Sequence, residues 1–493
     1  MNFDEYRVEF QTFQTALNLA LCQGWRSINP TEPMPGSIFS RFQDLFTDSG
    51  LDTLSKEREA AKPRGESARR AIETLIVFAQ TEFVEMQARE VSLELARATS
   101  KYQLQWKSEP LGFFQAERQL SQLHPRHHPE ALTRQWENAL ASLVDLYVER
   151  IVRLDEGAAR LGVSSWGKLQ VDQAQAFGCE FSSLLSLCES FLHLTENQWN
   201  QALSLWANEL CRSVVSLRRA DCVSWGHVGA LNEFFPAEKL VRSYEATVRG
   251  FGVRPWQQPA LRFQAVSQLQ LYCARVQIPD DIRVGFQSDS GWNAFVRFFQ
   301  TAAMAQQAVW TSRQLPIELR YGADTSVRQG FAAFFGQLLL EKQWLGEMLD
   351  LPLPQRILSP VRRAKLWELR EAAACLLCAA RYFQTTPGEP RPSLEQVARR
   401  FSELMQIEYT PSEALFLLNR GFEAGVTVRA YCFEAQLRDY VKTRFGYWWR
   451  SRRAGDLVID LWNTGHRYTL EELAAQIGLG ALNAEALSED WNR

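Results

Sequence analysis

The sequence has no long hydrophobic run. Its longest stretch made only of apolar residues, Ala372 to Ala380, spans nine residues, whereas a helix needs about 20 to cross a bilayer. The chain opens with polar and charged residues instead of the basic and apolar segments of a secretory signal. We therefore expect a protein that stays in the cytoplasm and has no membrane partner.

The sequence also lacks an excess of charge of either sign. Its 54 basic and 57 acidic residues leave a net charge of −3, so no overall field attracts nucleic acid or an anionic membrane. Short basic runs such as Arg450, Arg452 and Arg453 are typical of a solvated helix end. Nucleic acid is therefore not expected as a partner.

Cysteine is present, but not in the pattern of a secreted protein. The nine cysteines are an odd number, scattered from Cys22 to Cys432, without the dense, even spacing of a disulfide framework. Cys375 and Cys378 form a Cys-x-x-Cys pair in an apolar stretch of helical character, and no second pair accompanies it. We expect reduced and mostly buried thiols.

Motifs of the common hydrolases are missing as well. No Gly-x-Ser-x-Gly sequence marks a serine nucleophile. Three histidines, His124, His127 and His128, lie in a proline-flanked segment, which is an exposed connection or, as an alternative, a metal-binding loop. The remaining histidines are isolated and are expected to be ordinary polar or packing residues: His193, His227 and His466.

Helix signals, by contrast, occur along almost the whole chain. A Thr or Ser followed three residues later by Glu or Gln predicts a helix start, and four such pairs precede apolar-periodic stretches: Thr195 with Gln198, Ser393 with Gln396, Thr410 with Glu413, and Thr469 with Glu472. Pro411 suits a first helical turn, and Gly478 is placed to end a helix. We predict a mainly α-helical protein.

One region is predicted to form a small sheet. Between Arg262 and Gln287, two runs of alternating apolar and polar residues flank the turn Pro279-Asp-Asp. Aromatic and small residues then recur at helical spacing from Trp292 to Trp310, and Asp324 is a good N-cap for a second helix. The predicted order is sheet, helix, connection, helix.

This is the order in which a gluzincin metallopeptidase builds its site, with His-Glu-x-x-His on the first helix and a Glu ligand on the second. The segment Phe298-Phe-Gln-Thr-Ala-Ala-Met-Ala resembles, without a gap, Phe-Phe-His-Glu-Ala-Gly-His-Ala of the oligoendopeptidase and thimet-oligopeptidase family. Leu315-Pro-Ile-Glu-Leu-Arg and Val327-Arg-Gln-Gly-Phe-Ala resemble the family's Leu-Pro-x-Glu-x-Arg and Val-x-Glu-Gly-x-Ala. The likeness covers about Leu261 to Trp491.

Every chemical position of the family motif is changed in this chain. The resemblance places Gln300 and Met304 at the two His ligand positions, Thr301 at the general base and Gln329 at the third ligand. Amide and thioether groups are poor zinc ligands, and threonine cannot take a proton from the attacking water. The resemblance therefore implies that zinc binding and peptidase activity are lost and that there is no cofactor.

The resemblance also assigns positions around the lost motif. Ser290 and Gly291 resemble a Gly-Gly turn that lines the substrate groove, and Glu423 and Thr427 correspond to tyrosines that help hold the tetrahedral intermediate. Two further residues complete the expected cleft lining, namely Ala303 and Asp324.

The fold implied by the resemblance is zincin-like and two-lobed, with the small sheet beside the site helices and a deep central cleft. We expect an N-terminal helical lobe in residues 1–220 and a degenerate metallopeptidase lobe in residues 221–493.

Three functions stay open. The first is an inactive homologue that binds a peptide or protein partner. The second is a hydrolase that uses another metal or nucleophile, with Asp324, Glu318 and Glu423 as the nearest carboxylates. The third is a structural or regulatory subunit whose cleft is vestigial.

Overall fold

The computed structural model of the chain describes residues 1–23, 35–61, 65–107, 109–122, 130–223, 229–266, 271–322, 324–351, 355–383 and 390–491. The histidine-rich segment with His124, His127 and His128 lies outside these residues, as does His227. Within the described ranges, no helix combines the length and the apolar character needed to cross a bilayer.

The first half of the chain is a succession of helices, as predicted, and a short ribbon. Its elements are α1 (Phe3–Cys22), α2 (Gly36–Arg41), α3 (Asp48–Ala61), α4 (Glu66–Gln87), α5 (Arg89–Lys101), β1 (Leu104–Trp106), β2 (Glu109–Leu111), α6 (Phe113–Gln122), α7 (Glu130–Ala141), α8 (Val144–Arg160), α9 (Trp166–Ala176), α10 (Phe181–Leu194), α11 (Glu196–Glu209) and α12 (Arg219–Val223). The antiparallel β1–β2 ribbon was not predicted, because three-residue strands are too short to show an alternating pattern.

The second half contains the predicted sheet and the longest helices. Its elements are α13 (Ala237–Gly250), β3 (Leu261–Ala265), β4 (Tyr272–Gln277), β5 (Asp281–Phe286), α14 (Trp292–Trp310), α15 (Ile317–Tyr321), α16 (Thr325–Gly336), α17 (Lys342–Leu349), α18 (Gln355–Phe383), α19 (Leu394–Met405), α20 (Pro411–Leu418), α21 (Gly421–Phe445), α22 (Arg452–Asn463), α23 (Leu470–Gln476) and α24 (Glu485–Ser488). The helix predicted from Trp292 to Trp310 is confirmed at both ends.

Three of the four predicted capping boxes are confirmed, those that open α19, α20 and α23. The prediction for Thr195 was wrong, since its side chain makes no capping hydrogen bond. Its hydroxyl instead donates to the carbonyl of Phe191 at 2.7 Å and accepts from Arg370 at 2.7 Å. A buried guanidinium has therefore taken the oxygen that would cap the helix.

The small sheet has the strand order β3–β5–β4. Strand β3 runs parallel to β5, whereas β4 is antiparallel to it and lies at an edge. Along β4 the side chains of Tyr272, Ala274 and Val276 are buried, and the residues between them are partly exposed. The antiparallel pair around the predicted turn is thus confirmed, and β5 leads directly towards α14.

Helix α1 covers the edge strand β4. The Asn18 Oδ1 atom accepts the backbone N–H of Arg275 at 2.8 Å, and the Thr15 hydroxyl donates to the carbonyl of Val276 at 3.1 Å. An uncovered edge strand would offer such groups to an added peptide strand. Here these two backbone groups already have partners within the chain.

Three large hydrophobic cores hold the helices together. One joins α7, α8 and α10 to α18 and α21, a second surrounds α14, α16 and α22, and a third packs α1, α3 and α4 against the sheet. The first and third cores contain residues from both sides of position 220. The division into lobes at residues 220 and 221 stays a prediction.

Candidate functional site

Helix α14 is anchored by its aromatic face. Phe295, Phe298 and Phe299 are buried in the second core, together with Ala302 and Ala303. Ala303 is fully buried, so this predicted cleft-lining residue lies in the core and not on an open surface. The packing fixes the rotation of α14 and thereby the direction of the predicted ligand positions.

Gln300, at the first ligand position, lies on α14, and its side chain contacts α16 and α21. Its Nε2 atom is 3.4 Å from the phenolic oxygen of Tyr431. A Cβ atom added to Gly336 of α16 would come within 3.0 Å of both Cγ and Nε2 of Gln300. The amide side chain therefore occupies the space between the three helices.

Gln329, at the third ligand position, contacts α21 one helical turn away from Tyr431. Its Oε1 atom accepts a hydrogen bond from the Thr427 hydroxyl at 3.4 Å. Thr427 also lies 3.5 Å from the carbonyl oxygen of Glu423, whose side chain is exposed. Glu423, Thr427 and Tyr431 are spaced by four residues and share one face of α21.

Tyr431 was missed in the sequence. The predicted counterparts of the family's tyrosines were Glu423 and Thr427, yet the tyrosine that contacts a ligand position is Tyr431. The signal that could have found it is its spacing of four residues from Thr427, which places both side chains on the same helix face.

The other two changed positions, Thr301 and Met304, lie on α14 with Gln300. Thr301 is buried with 7% of its surface exposed, and Met304 is partly buried. Among the described residues no hydrogen bond joins Gln300 to Gln329. Gln300 contacts Tyr431 and Gln329 contacts Thr427, so both glutamines contact the same face of α21 but not each other.

These residues do not fit a zinc ion. The side chains at the ligand positions are two amides and a thioether, whereas a site of this type uses imidazole nitrogen and carboxylate oxygen. In the described part of the chain, no group of three or more His, Cys, Asp or Glu side chains is arranged to hold a metal. The donor set therefore disagrees with a zinc-dependent reaction.

Asp324 caps α16 and forms an ion pair with Arg429. Its side chain accepts the backbone N–H of Ser326 at 2.9 Å and a guanidinium N–H of Arg429 at 3.0 Å. Arg429 also binds Glu471 through its Nε atom at 2.9 Å. Burial acts to raise the pKa of Asp324, but the charge of Arg429 and the hydrogen bonds hold that pKa below its usual value. Asp324 is an ionised structural residue.

The other nearby carboxylates are also poor candidates for a general base. Glu318 is 2% exposed and accepts a hydrogen bond from Arg7 of α1 at 3.2 Å. Burial raises the pKa of Glu318, and the charge of Arg7 opposes this shift. Glu423 is exposed on α21. In the described part of the chain, none of these three carboxylates forms a hydrogen bond with Thr301.

A charged residue at the start of α16 has an unusual environment. Burial and the neighbouring charge of Arg275 lower the pKa of Arg328 to about 9. His466 is 8% exposed and packs against Gly322, and its Nδ1 atom has no hydrogen-bond partner. Burial and the charges of Arg328 and Arg275 lower the pKa of His466 to about 3, so this ring is neutral.

Two cavities lie in this part of the protein, and one of them is lined by a changed position. One, of about 270 Å³, is lined by Gln300, Tyr431, Lys365 and Trp292 among others. In it the Lys365 ammonium lies 3.8 Å from the centre of the Tyr431 ring and donates to Glu368 at 3.0 Å. This cavity combines aromatic walls with one cation and carboxylates.

The second cavity, of about 250 Å³, is more apolar. It is lined by Phe177, Phe181 and Phe422, with Asp324 and Glu423 at the polar side. Asp324 thus lies at this cavity, and its role as a cleft-lining residue stays a prediction. Gln329 and Thr427 line neither cavity.

The predicted turn Ser290–Gly291 immediately precedes α14. Ser290 is exposed, whereas Gly291 is buried with a φ of 107°. A Cβ atom at Gly291 would lie 2.4 Å from the Asn232 side chain. The position therefore requires glycine both for its backbone conformation and for the close approach of Asn232.

One cysteine, Cys179, lines the second cavity, and the other described cysteines line neither cavity. All nine have free thiols, and six of them are buried. Cys375 and Cys378 lie inside α18, where the Cys375 thiol donates to the carbonyl of Leu417 at 3.0 Å, and burial raises the pKa of both. The prediction of buried packing thiols is confirmed.

Comparison with known proteins gives a likeness in structure only. No family model matches the sequence, and no curated protein matches it. Solved structures that resemble the chain include Pz peptidase A with an inhibitor, at 10% identity and a TM-score of 0.67 over 94% of this chain and 87% of that one.

Two further structures extend this likeness. A Bacillus anthracis structure assigned to oligoendopeptidase F has 11% identity and a TM-score of 0.64, over 92% and 84% of the two chains. An M32 carboxypeptidase from Deinococcus radiodurans has 12% identity and a TM-score of 0.57, over 100% and 99%. The chain therefore has the fold of the oligoendopeptidase F and M32 carboxypeptidase metallopeptidases.

Proposed function

We propose that this protein is a non-catalytic homologue of the oligoendopeptidase-type metallopeptidases that binds a peptide or protein partner, and that it acts in the cytoplasm. The observation that supports this proposal most directly is that neutral amide side chains occupy two of the ligand positions and contact α21. Gln300 and Gln329 are held by Tyr431 and Thr427, so the neutral amides are integrated into the packing of α21.

The replacements are consistent with one another physically. A glutamate at position 329 without a metal would be a partly buried, unpaired charge, which costs several kcal/mol. Glutamine is nearly the same shape and neutral, and methionine at position 304 fills irregular space with little strain. The site is thus stable without an ion.

A hydrolase with another nucleophile is less well supported. Such an enzyme needs a base within hydrogen-bonding reach of the reacting group. Asp324 is engaged by Arg429 and Glu318 by Arg7, which leaves the exposed Glu423 as the carboxylate without such a pair among the three.

The cover over β4 bears on how a partner would bind. Because Asn18 and Thr15 occupy backbone groups of Arg275 and Val276, a peptide cannot add to this strand at those residues. A peptide partner would therefore be recognised through its side chains in the two cavities. If it is not, the groove is vestigial, which is the alternative of a structural or regulatory subunit. The cavity with Phe177, Phe181 and Phe422 has the size and walls for an apolar side chain.

The proposal is tested by metal analysis and by peptide hydrolysis with the purified protein. We expect substoichiometric zinc after dialysis and no cleavage of a mixed peptide library with Zn²⁺, Mn²⁺ or Cu⁺ present. The matched control is Gln300→Ala with Gln329→Ala, which should behave in the same way. Stoichiometric zinc and hydrolysis in the wild type, both abolished in this double variant, would overturn the proposal.

A further inference from the structure

Another cavity, of about 220 Å³, lies between the end of α18 and α19. No described residue that lines it also lines either of the two cavities in the region of the changed ligand positions. It is therefore a separate place on the protein, and the proposed binding of a peptide does not involve it.

The described lining of this cavity is strongly basic. It contains the three guanidinium groups of Arg381, Arg399 and Arg400 but a single carboxylate, that of Glu403. Three positive charges against one negative charge give these side chains a net charge of +2. The whole chain has a net charge of −3, so the excess of cations at the cavity does not reflect the overall composition.

Two of the three arginines have no acidic partner. The guanidinium of Arg400 lies 3.1 Å from the carboxylate of Glu403. Arg381 and Arg399 form no hydrogen bond and no ion pair with a described residue. Both are exposed, so a ligand has access to their N–H groups. Like charges gathered at one place repel each other and destabilise the folded state, and a bound anion would remove this repulsion.

The cavity wall also presents neutral donors. Tyr382 lines the cavity with only 6% of its surface exposed, and its hydroxyl makes no hydrogen bond with a described residue. Its ring is held edge-on against Phe383, with 4.9 Å between the ring centres. The Gln396 side chain accepts the backbone N–H of Ser393 through Oε1 at 2.8 Å, which leaves its Nε2 atom as a donor. A largely buried hydroxyl without a partner is costly, and an acceptor in the cavity would satisfy it.

We propose that this cavity binds a phosphate monoester through Arg381, Arg399 and the hydroxyl of Tyr382. Such a group carries a charge of about −1.5 to −2 at pH 7, which matches the net charge of +2 on the lining. Its oxygens can accept two guanidinium forks in charge-assisted hydrogen bonds. A carboxylate has one charge and two oxygens, so it would leave one of the two arginines uncompensated.

The test uses the full-length protein and isothermal titration calorimetry with glycerol 3-phosphate as the probe. We expect saturable binding of this probe and binding about tenfold weaker or less for acetate. Arg381→Gln and Arg399→Gln should each weaken binding of the probe about tenfold or more. The matched control is Arg262→Gln, an exposed arginine on β3 that does not line the cavity, and it should leave binding unchanged.

Two further variants distinguish a defined site from a general attraction of anions to exposed arginines. Tyr382→Phe keeps the ring and every charge, and the loss of the hydroxyl should weaken binding about threefold or more. Glu403→Gln removes the carboxylate of the described lining and releases Arg400. This variant should strengthen binding about threefold, which is the opposite direction to the arginine variants.

The carrier of the phosphate is identified with a second probe, acetyl-Ala-phosphoserine-Ala-amide. Tighter binding of this peptide than of glycerol 3-phosphate would identify a phosphorylated protein segment, and the reverse order would identify a small phosphorylated molecule. Either order supports the phosphate site. No binding of both probes at millimolar concentration, acetate binding as tight as that of the phosphates, or unchanged binding in either arginine variant or in Tyr382→Phe would each overturn the inference.

Discussion

The phenolic oxygen of Tyr431 lies 3.4 Å from the amide nitrogen of Gln300, and the same ring carries the Lys365 ammonium 3.8 Å from its centre. The tyrosine is therefore packed between an amide at a former ligand position and a cation at the wall of a cavity. The hydrogen bond is long, so the ring contributes more than the hydroxyl.

This arrangement predicts a difference between two substitutions of Tyr431. Tyr431→Phe keeps the ring and should lower the free energy of unfolding by less than about 1 kcal/mol. Tyr431→Ala leaves a cavity and should lower it by about 3–5 kcal/mol. Urea denaturation measures both, and equal losses would show that the hydroxyl, not the ring, is the important contact.

The sequence predicts what is determined locally. The bounds of α14, the N-cap Asp324 and three capping boxes depend on side chains within a few residues of each other, and these predictions are confirmed. The contacts of Tyr431 with Gln300 and of Asn18 with Arg275 join residues 131 and 257 positions apart. No local pattern specifies such partners, because they depend on how the helices pack.

Thr195 is a position where a local sequence signal gave a wrong prediction because of a distant residue. Its sequence context favours a capping box, but Arg370, which is 175 positions away, is buried against its hydroxyl. A buried guanidinium must find acceptors, and this requirement outweighs a helix cap worth about 1 kcal/mol. Local signals were overridden where a buried charge needed a partner.

The cover of α1 over β4 predicts a local effect of removing Asn18. Asn18→Ala leaves the backbone N–H of Arg275 without its acceptor, which should cost about 1–3 kcal/mol of stability. Hydrogen exchange at the amide of Arg275 should accelerate as α1 loosens. Thr12→Ala is the matched control, because the Thr12 hydroxyl donates to the carbonyl of Val8 within α1 and to no other described residue. Equal exchange in both variants would show that Asn18 does not hold the edge.

The lowered pKa of Asp324 predicts a pH dependence of stability. Its folded-state pKa lies below the value of about 3.9 expected for the unfolded chain. The contribution of Asp324 is therefore fully present above that value and is lost as the pH falls through the folded-state pKa.

Asp324→Asn tests this pH dependence. Asparagine still caps a helix, so the variant loses the charge but keeps the cap. We expect its free energy of unfolding to fall less steeply between pH 5 and pH 2 than that of the wild type. Identical slopes in denaturation curves across this range would contradict the assignment of an ionised Asp324.

The identification of the four changed positions predicts the result of restoring them together. The variant Gln300→His, Thr301→Glu, Met304→His, Gln329→Glu places two imidazoles four residues apart on α14 and a carboxylate on α16, the ligand set that zinc uses in this fold class. Without metal, the added carboxylate at position 301 is buried, the one at position 329 is partly buried and both are unpaired, so we expect a loss of several kcal/mol of stability. Zinc should restore the lost stability, because it binds to the folded state alone and thereby stabilises that state.

A matched variant that keeps Gln329 and carries the other three changes lacks the third ligand and should bind zinc more weakly. Calorimetry and thermal denaturation with and without zinc measure both effects, and a stability that zinc leaves unchanged in the four-fold variant would show that these positions do not converge on one ion.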